Sequence, residues 1–74
     1  MLIVLPSTPT TQKASEYLHE KQVPHDLIPI PDSLGYKTGS EIGIYIESED
    51  HTGVPMELTR ERFVVMRVFK DFKR

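Results

Sequence analysis

Three histidines (His19, His25 and His51), with the acids Asp26 and Asp50, have side chains of types that suit a hard or borderline metal ion. Their spacing does not suit one. His19 and His25 flank the end of a helical pattern, His51 sits in a distant turn, and no ligand interval recurs. They read as surface histidines, and no metal is expected. Ser7 or Ser40 with a histidine and an acid has the composition of a nucleophilic triad, but no nucleophile-elbow signature surrounds either serine. The stretch "GYKTGS" (35–40) spaces two glycines around one lysine, yet lacks the Gly-Lys-Ser/Thr ending of a phosphate-binding loop. Its glycines read as turn residues with positive φ. Tyr36 and Tyr45 could stack a base or a substrate ring, but cross-strand packing is the better account of them. There is no cysteine, which excludes disulfides, thiolate metal sites and thiol catalysis. No catalytic residue and no cofactor are expected, and the chain is not read as an enzyme.

The 74 residues make one α+β domain, near the lower size at which a chain folds without disulfides or metals. Absence of cysteine suits a reducing, cytoplasmic setting. The apolar start "MLIVL" has no basic flank or cleavage site, and no apolar run approaches the roughly 20 residues that span a bilayer. A net charge of −2 hides an asymmetry: three lysines against nine acids up to residue 58, then six basic residues against Glu61 and Asp71. A basic tail of this kind can mark a nucleic-acid or membrane surface, or be the solvated face of a terminal helix.

The elements that must position these residues follow from period and punctuation. "LIVLP" is a short apolar run closed by Pro6 and reads as a buried strand. In the next segment Thr8 can cap and Pro9 suits a first helical turn, while Pro24 forbids continuation. Ala14, Tyr17, Leu18 and Lys21 form one stripe, predicting a helix over 9–22. "HDLIPIP" reads as a strand that Pro29 confines to a sheet edge. "DSLGYKTGS" connects it to "EIGIYIE", where Ile42, Ile44 and Ile46 alternate with Glu41, Gly43, Tyr45 and Glu47. After the polar turn "SEDHTGVP", Thr59 is expected to cap a final helix with Val64, Val65, Val68, Phe69 and Phe72 on one stripe. The β-branched valines leave a strand open for part of that segment.

The order β-α-β-β-α predicts a split β-α-β, ferredoxin-like sheet with the third strand between the first and second and two helices on one face. The first strand would keep an unpaired apolar edge, and the second face of the sheet would stay bare. Both features predict a homo-oligomer, most simply a dimer.

The run from "STPTTQKASEYLHEKQVPHDLIPIPDSL" through "GSEIGIYIE" resembles the small domains known as selenium/sulfur carrier-like proteins. Their pattern has a Ser-Thr-started helix, a segment like "VPHDLIPIP", a Ser-rich loop and a Cys-Gly pair opening a strand. The resemblance covers about residues 2–47 and implies a ligand loop at Ser40, Glu41, Ile42 and Gly43. At the cysteine position this chain has Ile42, followed by the retained Gly43. An isoleucine has no thiolate to hold a persulfide-type adduct.

The expected function is therefore that of a non-enzymatic domain acting through contacts with an unknown protein partner. One alternative is a carrier of a small molecule or anion on the backbone of Ser40–Gly43. Another is a binder of nucleic acid or an acidic partner through Arg60, Arg67 and Lys70 on the basic final helix. Nucleic acid is not expected there, because the apolar stripe of that helix already explains the segment.

Overall fold

The computed structural model describes residues 1–47 and 51–74. The elements are β1 (Leu2–Val4), α1 (Thr8–Glu20), β2 (Asp26–Pro29), β3 (Ile42–Tyr45), α2 (Val54–Arg60) and β4 (Arg67–Phe69). A single 3₁₀ turn, Asp32–Leu34, lies between β2 and β3. The four strands form one antiparallel-paired sheet in the order β2-β3-β1-β4. The protein is thus an α+β fold of a four-stranded sheet and two helices. β2 lies at one edge, where Pro29, opposite Ile42, needs no outward donor.

Alternation in the strands supplies two cores. Ile3 and Leu5 of the first strand region, Ile44 and Ile46, and Ala14, Leu18, Val54 and Leu58 of the two helices pack in one aliphatic cluster. Both helices therefore cover one face of the sheet. On the other face Leu2, Val4, Ile28 and Tyr45 are buried beneath Leu34 and Tyr36 of the connecting segment and Phe69 and Phe72. The second face is not bare, contrary to the expectation above. Leu2 and Val4 have no exposed surface at all.

The last third of the chain departs most from the reading of its sequence. The helix expected from Thr59 onward is instead α2, one turn and more earlier, with Val54 and Leu58 inward and Pro55 in its first turn. Thr59 lies inside it and donates to the Pro55 carbonyl at 3.0 Å rather than capping a helix. Arg62 takes φ +69°, and the N–H groups of Arg62 and Phe63 return to the carbonyls of Thr59 and Leu58, each at 3.0 Å. That double closure ends the helix. The valine-rich remainder then becomes β4, paired to β1 as Leu2↔Phe69, Ile3↔Val68 and Val4↔Arg67. A stripe at helical spacing lost to the free edge of β1, whose backbone groups β4 satisfies. Neither ground for expecting a dimer survives, since the edge is paired and the second face is covered.

Candidate functional site

Helix α1 begins one residue earlier than its prolines suggest. Ser7, not Thr8, is the cap: its hydroxyl oxygen accepts from the Thr10 N–H at 3.3 Å. Thr8 and Thr11 are thereby free to face the segment leading into β3. Thr11 is fully buried, donates to the Ser7 carbonyl at 2.9 Å and sets its oxygen 3.0 Å from the Ser40 hydroxyl. Ser40 donates to the Ile42 carbonyl at 2.6 Å. Thr38 donates to the Leu5 carbonyl at 3.0 Å, and its oxygen accepts from the Ser40 N–H at the same distance. Gly39 pairs with Ser7, and a Cβ there would stand 2.6 Å from the Pro6 carbonyl oxygen. Gly35 has the positive φ expected of a turn glycine, +64°, whereas Gly39 is required for close approach instead.

The four residues of the expected ligand loop are brought together here, with their donors already engaged. The Ser40 N–H goes to Thr38, the Glu41 N–H to Thr8 at 3.3 Å, and the Ile42 N–H to the Ser40 hydroxyl at 3.3 Å. Ser40 is 5% exposed, and no buried side-chain polar atom among the described residues lacks a partner. Gly43 is sealed against β1, where a Cβ would meet the Leu2 side chain at 2.8 Å. Glu41 is exposed and Ile42 half-buried. This is a polar knot that fixes the start of β3 to the start of α1.

The three basic residues expected to share one helix do not share one. Arg60 closes α2 on the helix side, Arg67 opens β4 on the opposite face, and Lys70 follows β4. Of the histidines, His25 does meet a serine that the sequence does not single out. Its Nδ1–H donates to the Val23 carbonyl at 2.8 Å, which leaves Nε2 to accept from the Ser15 hydroxyl at 2.6 Å. A serine bonded to an imidazole is half of a nucleophilic couple. Ser15 lies in mid-helix, however, where the surrounding N–H groups are spent on the helix itself and none can stabilise an oxyanion. The pair clamps α1 to the approach to β2. No motif marks it, since ten residues separate the partners. Among the described residues no three His, Cys, Asp or Glu side chains group to hold a metal. Asp50 and the turn residues 48–49 lie outside the described residues.

The tyrosines do pack, each against one phenylalanine of the last twelve residues. Tyr17 meets Phe63 with ring centroids 6.1 Å apart, Tyr36 meets Phe69 at 6.1 Å, and Tyr45 meets Phe72 at 5.9 Å. Tyr17 also donates to Glu57 at 2.9 Å, joining α1 to α2. Burial, then the hydrogen bond and charge of Glu57, then Glu61, push its phenol up to about 12. No helix among the described residues is long and apolar enough to cross a membrane. No family model matches the chain, and no curated protein or solved structure matches it.

Proposed function

We propose that this chain is a non-catalytic contact domain of ferredoxin-like, split β-α-β topology, related to the selenium/sulfur carrier-like proteins and without their sulfur chemistry. The strand order and the placement of both helices on one face support the topology. One observation carries the functional reading. The position of the reactive cysteine is Ile42, and its backbone N–H and C=O are both bound by the buried Ser40 hydroxyl. That hydroxyl is spent on structure, and no thiolate exists to be loaded. The rival reading, an anion held by the Ser40–Gly43 backbone, needs free N–H donors, and those of Ser40, Glu41 and Ile42 are all engaged.

The test has two arms. Incubation with a persulfide donor followed by intact mass measurement is expected to leave the mass unchanged, and a stable gain of sulfur would overturn the reading. Native mass spectrometry of the chain purified from its source is expected to show a second macromolecule bound. A stoichiometric small molecule in its place would favour the carrier.

A further inference from the structure

The reason for setting nucleic acid aside was a terminal helix whose basic side is merely solvated. That helix does not exist, and the segment "RVFKDFKR" (67–74) is arranged quite differently. It builds two stations on the sheet face opposite the helices. At the first, the Arg67 guanidinium lies 5.6 Å from the Tyr36 ring centroid and 5.0 Å from that of Phe69. The two rings meet edge-on, at 71°. At the second, the Arg74 guanidinium lies 5.0 Å from the Tyr45 ring centroid, and Tyr45 meets Phe72 edge-on at 81°. Tyr45 and Phe69 both stand opposite Leu2, so the stations are two strand spacings apart, roughly 10 Å. Both arginines thus lie over rings on the same face of the sheet.

Each station has space beside it. A depression of about 640 Å³ is lined by Tyr45, Phe72, Lys70, Lys73 and Arg74 among others. A second, of about 340 Å³, is lined in part by Tyr36 and Lys37, with Asp32 and Glu41 beside them. A guanidinium held over a ring and still exposed, as Arg67 and Arg74 are, offers a planar cationic surface on which a base can stack. Lys70 and Lys73 flank it as exposed point charges suited to phosphate. An acidic peptide would use the charges and gain nothing from the rings beneath them.

We infer that this face binds single-stranded nucleic acid, bases stacking at the Arg67–Tyr36 and Arg74–Tyr45 stations and phosphates meeting Lys70 and Lys73. The inference rests on the contact-domain reading and names its partner. Asp26 already pairs with Arg74, and Glu47 and Asp71 line the larger depression, so the acids of this face hold the affinity down.

The experiment is fluorescence anisotropy of labelled oligo-dT and oligo-U, about a dozen nucleotides long, against the full chain. At low salt either strand is expected to bind saturably, and log K should fall against log salt with a slope of about −1.4, as phosphate contacts by Lys70 and Lys73 require. Arg67→Ala and Arg74→Ala should each weaken binding roughly five- to 150-fold. Arg67→Lys should lose nearly as much, because it keeps the charge without the plane. Arg60→Ala, on the other side of the sheet, should stay within about twofold of the parent, and Asp26→Asn should bind more tightly. Thermal melts of the same variants separate lost binding from lost fold. Absence of binding by both strands would overturn the inference. So would an equal loss in Arg60→Ala, full affinity in Arg67→Lys, or equally tight binding of a polyglutamate peptide. A macromolecule still bound in native mass spectrometry would then leave the contact-domain reading standing.

Discussion

The two faces of the sheet are covered by different means. On one, two helices bring Ala14, Leu18, Val54 and Leu58 onto Ile3, Leu5, Ile44 and Ile46, and the cluster is aliphatic and closed. On the other, a connecting segment and the chain's last residues lay Leu34, Tyr36, Phe69 and Phe72 over Leu2, Val4, Ile28 and Tyr45. There the covering side chains are half-buried and the rim carries two arginines. Helices arrive with their backbone groups satisfied, so they can close a face fully. A loop must first be tied down, and here the ties are hydroxyls: Thr38 donates to the Leu5 carbonyl, and Thr8 accepts from the Glu41 N–H. The helix side should therefore carry stability, and the loop side should carry contacts.

The largest effects should come from the helix side. Leu18→Ala or Leu58→Ala removes a fully buried side chain and should cost about 2–5 kcal/mol. A domain of this size holds on the order of 5 kcal/mol in total, so these variants should lose about half or more of their stability, seen by circular dichroism as a much lower urea midpoint. Leu34→Ala, on the half-buried cover of the other face, should cost roughly 1 kcal/mol and show an ordinary cooperative urea transition. Equal losses on both sides would break the comparison.

Next comes the tie between loop and sheet. Gly39→Ala places a methyl group 2.6 Å from the Pro6 carbonyl oxygen, which is backbone and cannot step aside. A cost of about 1–3 kcal/mol is expected. At Gly43→Ala the nearest atom, at 2.8 Å, is the flexible tip of Leu2, although the Ile3 carbonyl stands behind it at 3.1 Å. The loss there should be the smaller of the two in urea titrations. If Gly39→Ala proves neutral, the loop is not held where its hydroxyl partners place it.

Much of the helix side was legible in the sequence, and much of the loop side was not. The 9–22 stripe and the alternation of Ile42, Ile44 and Ile46 are local patterns, so α1 and β3 lie within a residue or two of where period and prolines put them, although Ile42 stays half-buried outside the helix-side cluster. Pro29 marked β2 as an edge by the same kind of local rule. The final segment was ambiguous because Val64, Val65, Val68, Phe69 and Phe72 suit a helical stripe as well as a strand. What decides between them is β1, more than sixty residues away along the chain. The resemblance drew notice to the Ser40 loop, but the hydrogen bonds that Ser40 makes were not visible in the sequence. Thr11 and Ser40 are 29 residues apart in sequence and Thr8 and Glu41 are 33, and no spacing rule announces that these groups meet. The arginine–aromatic stations were hidden for the same reason, since Tyr36 and Tyr45 belong to different elements from Arg67 and Arg74.

A smaller effect, of opposite sign, is expected at the two helix ends. Gln22 and Arg62 both stand at positive φ, +60° and +69°. In each case the following residue, Val23 or Phe63, donates back to a helical leucine. A side chain in this region costs roughly 1–2 kcal/mol, against the 0.5–1 kcal/mol that glycine loses in chain entropy. Gln22→Gly and Arg62→Gly should therefore each stabilise by about 0.5–1 kcal/mol. The gain should be additive, because the two sites lie on different helices. A raised urea midpoint with an unchanged slope is the expected signature, and a lowered one would mean the side chains contribute contacts that outweigh the strain.

The smallest effect is a pH dependence that belongs to the helix side alone. Tyr17 links α1 to α2 by donating its phenolic proton to Glu57. Burial and the carboxylates of Glu57 and Glu61 raise its pKa from 10.0 to about 12. The folded state therefore keeps this proton at pH values where the unfolded chain has released it. The resulting stability is fully present below pH 10 and is lost as pH rises toward about 12. Tyr17→Phe keeps the ring against Phe63 and removes the titrating group. Every other ionisable group is common to both proteins, so the difference between the two isolates Tyr17. Urea midpoints taken between pH 9 and 12 should fall more steeply for the parent than for Tyr17→Phe. Parallel curves would mean that the two helices are held together by their aliphatic contacts alone.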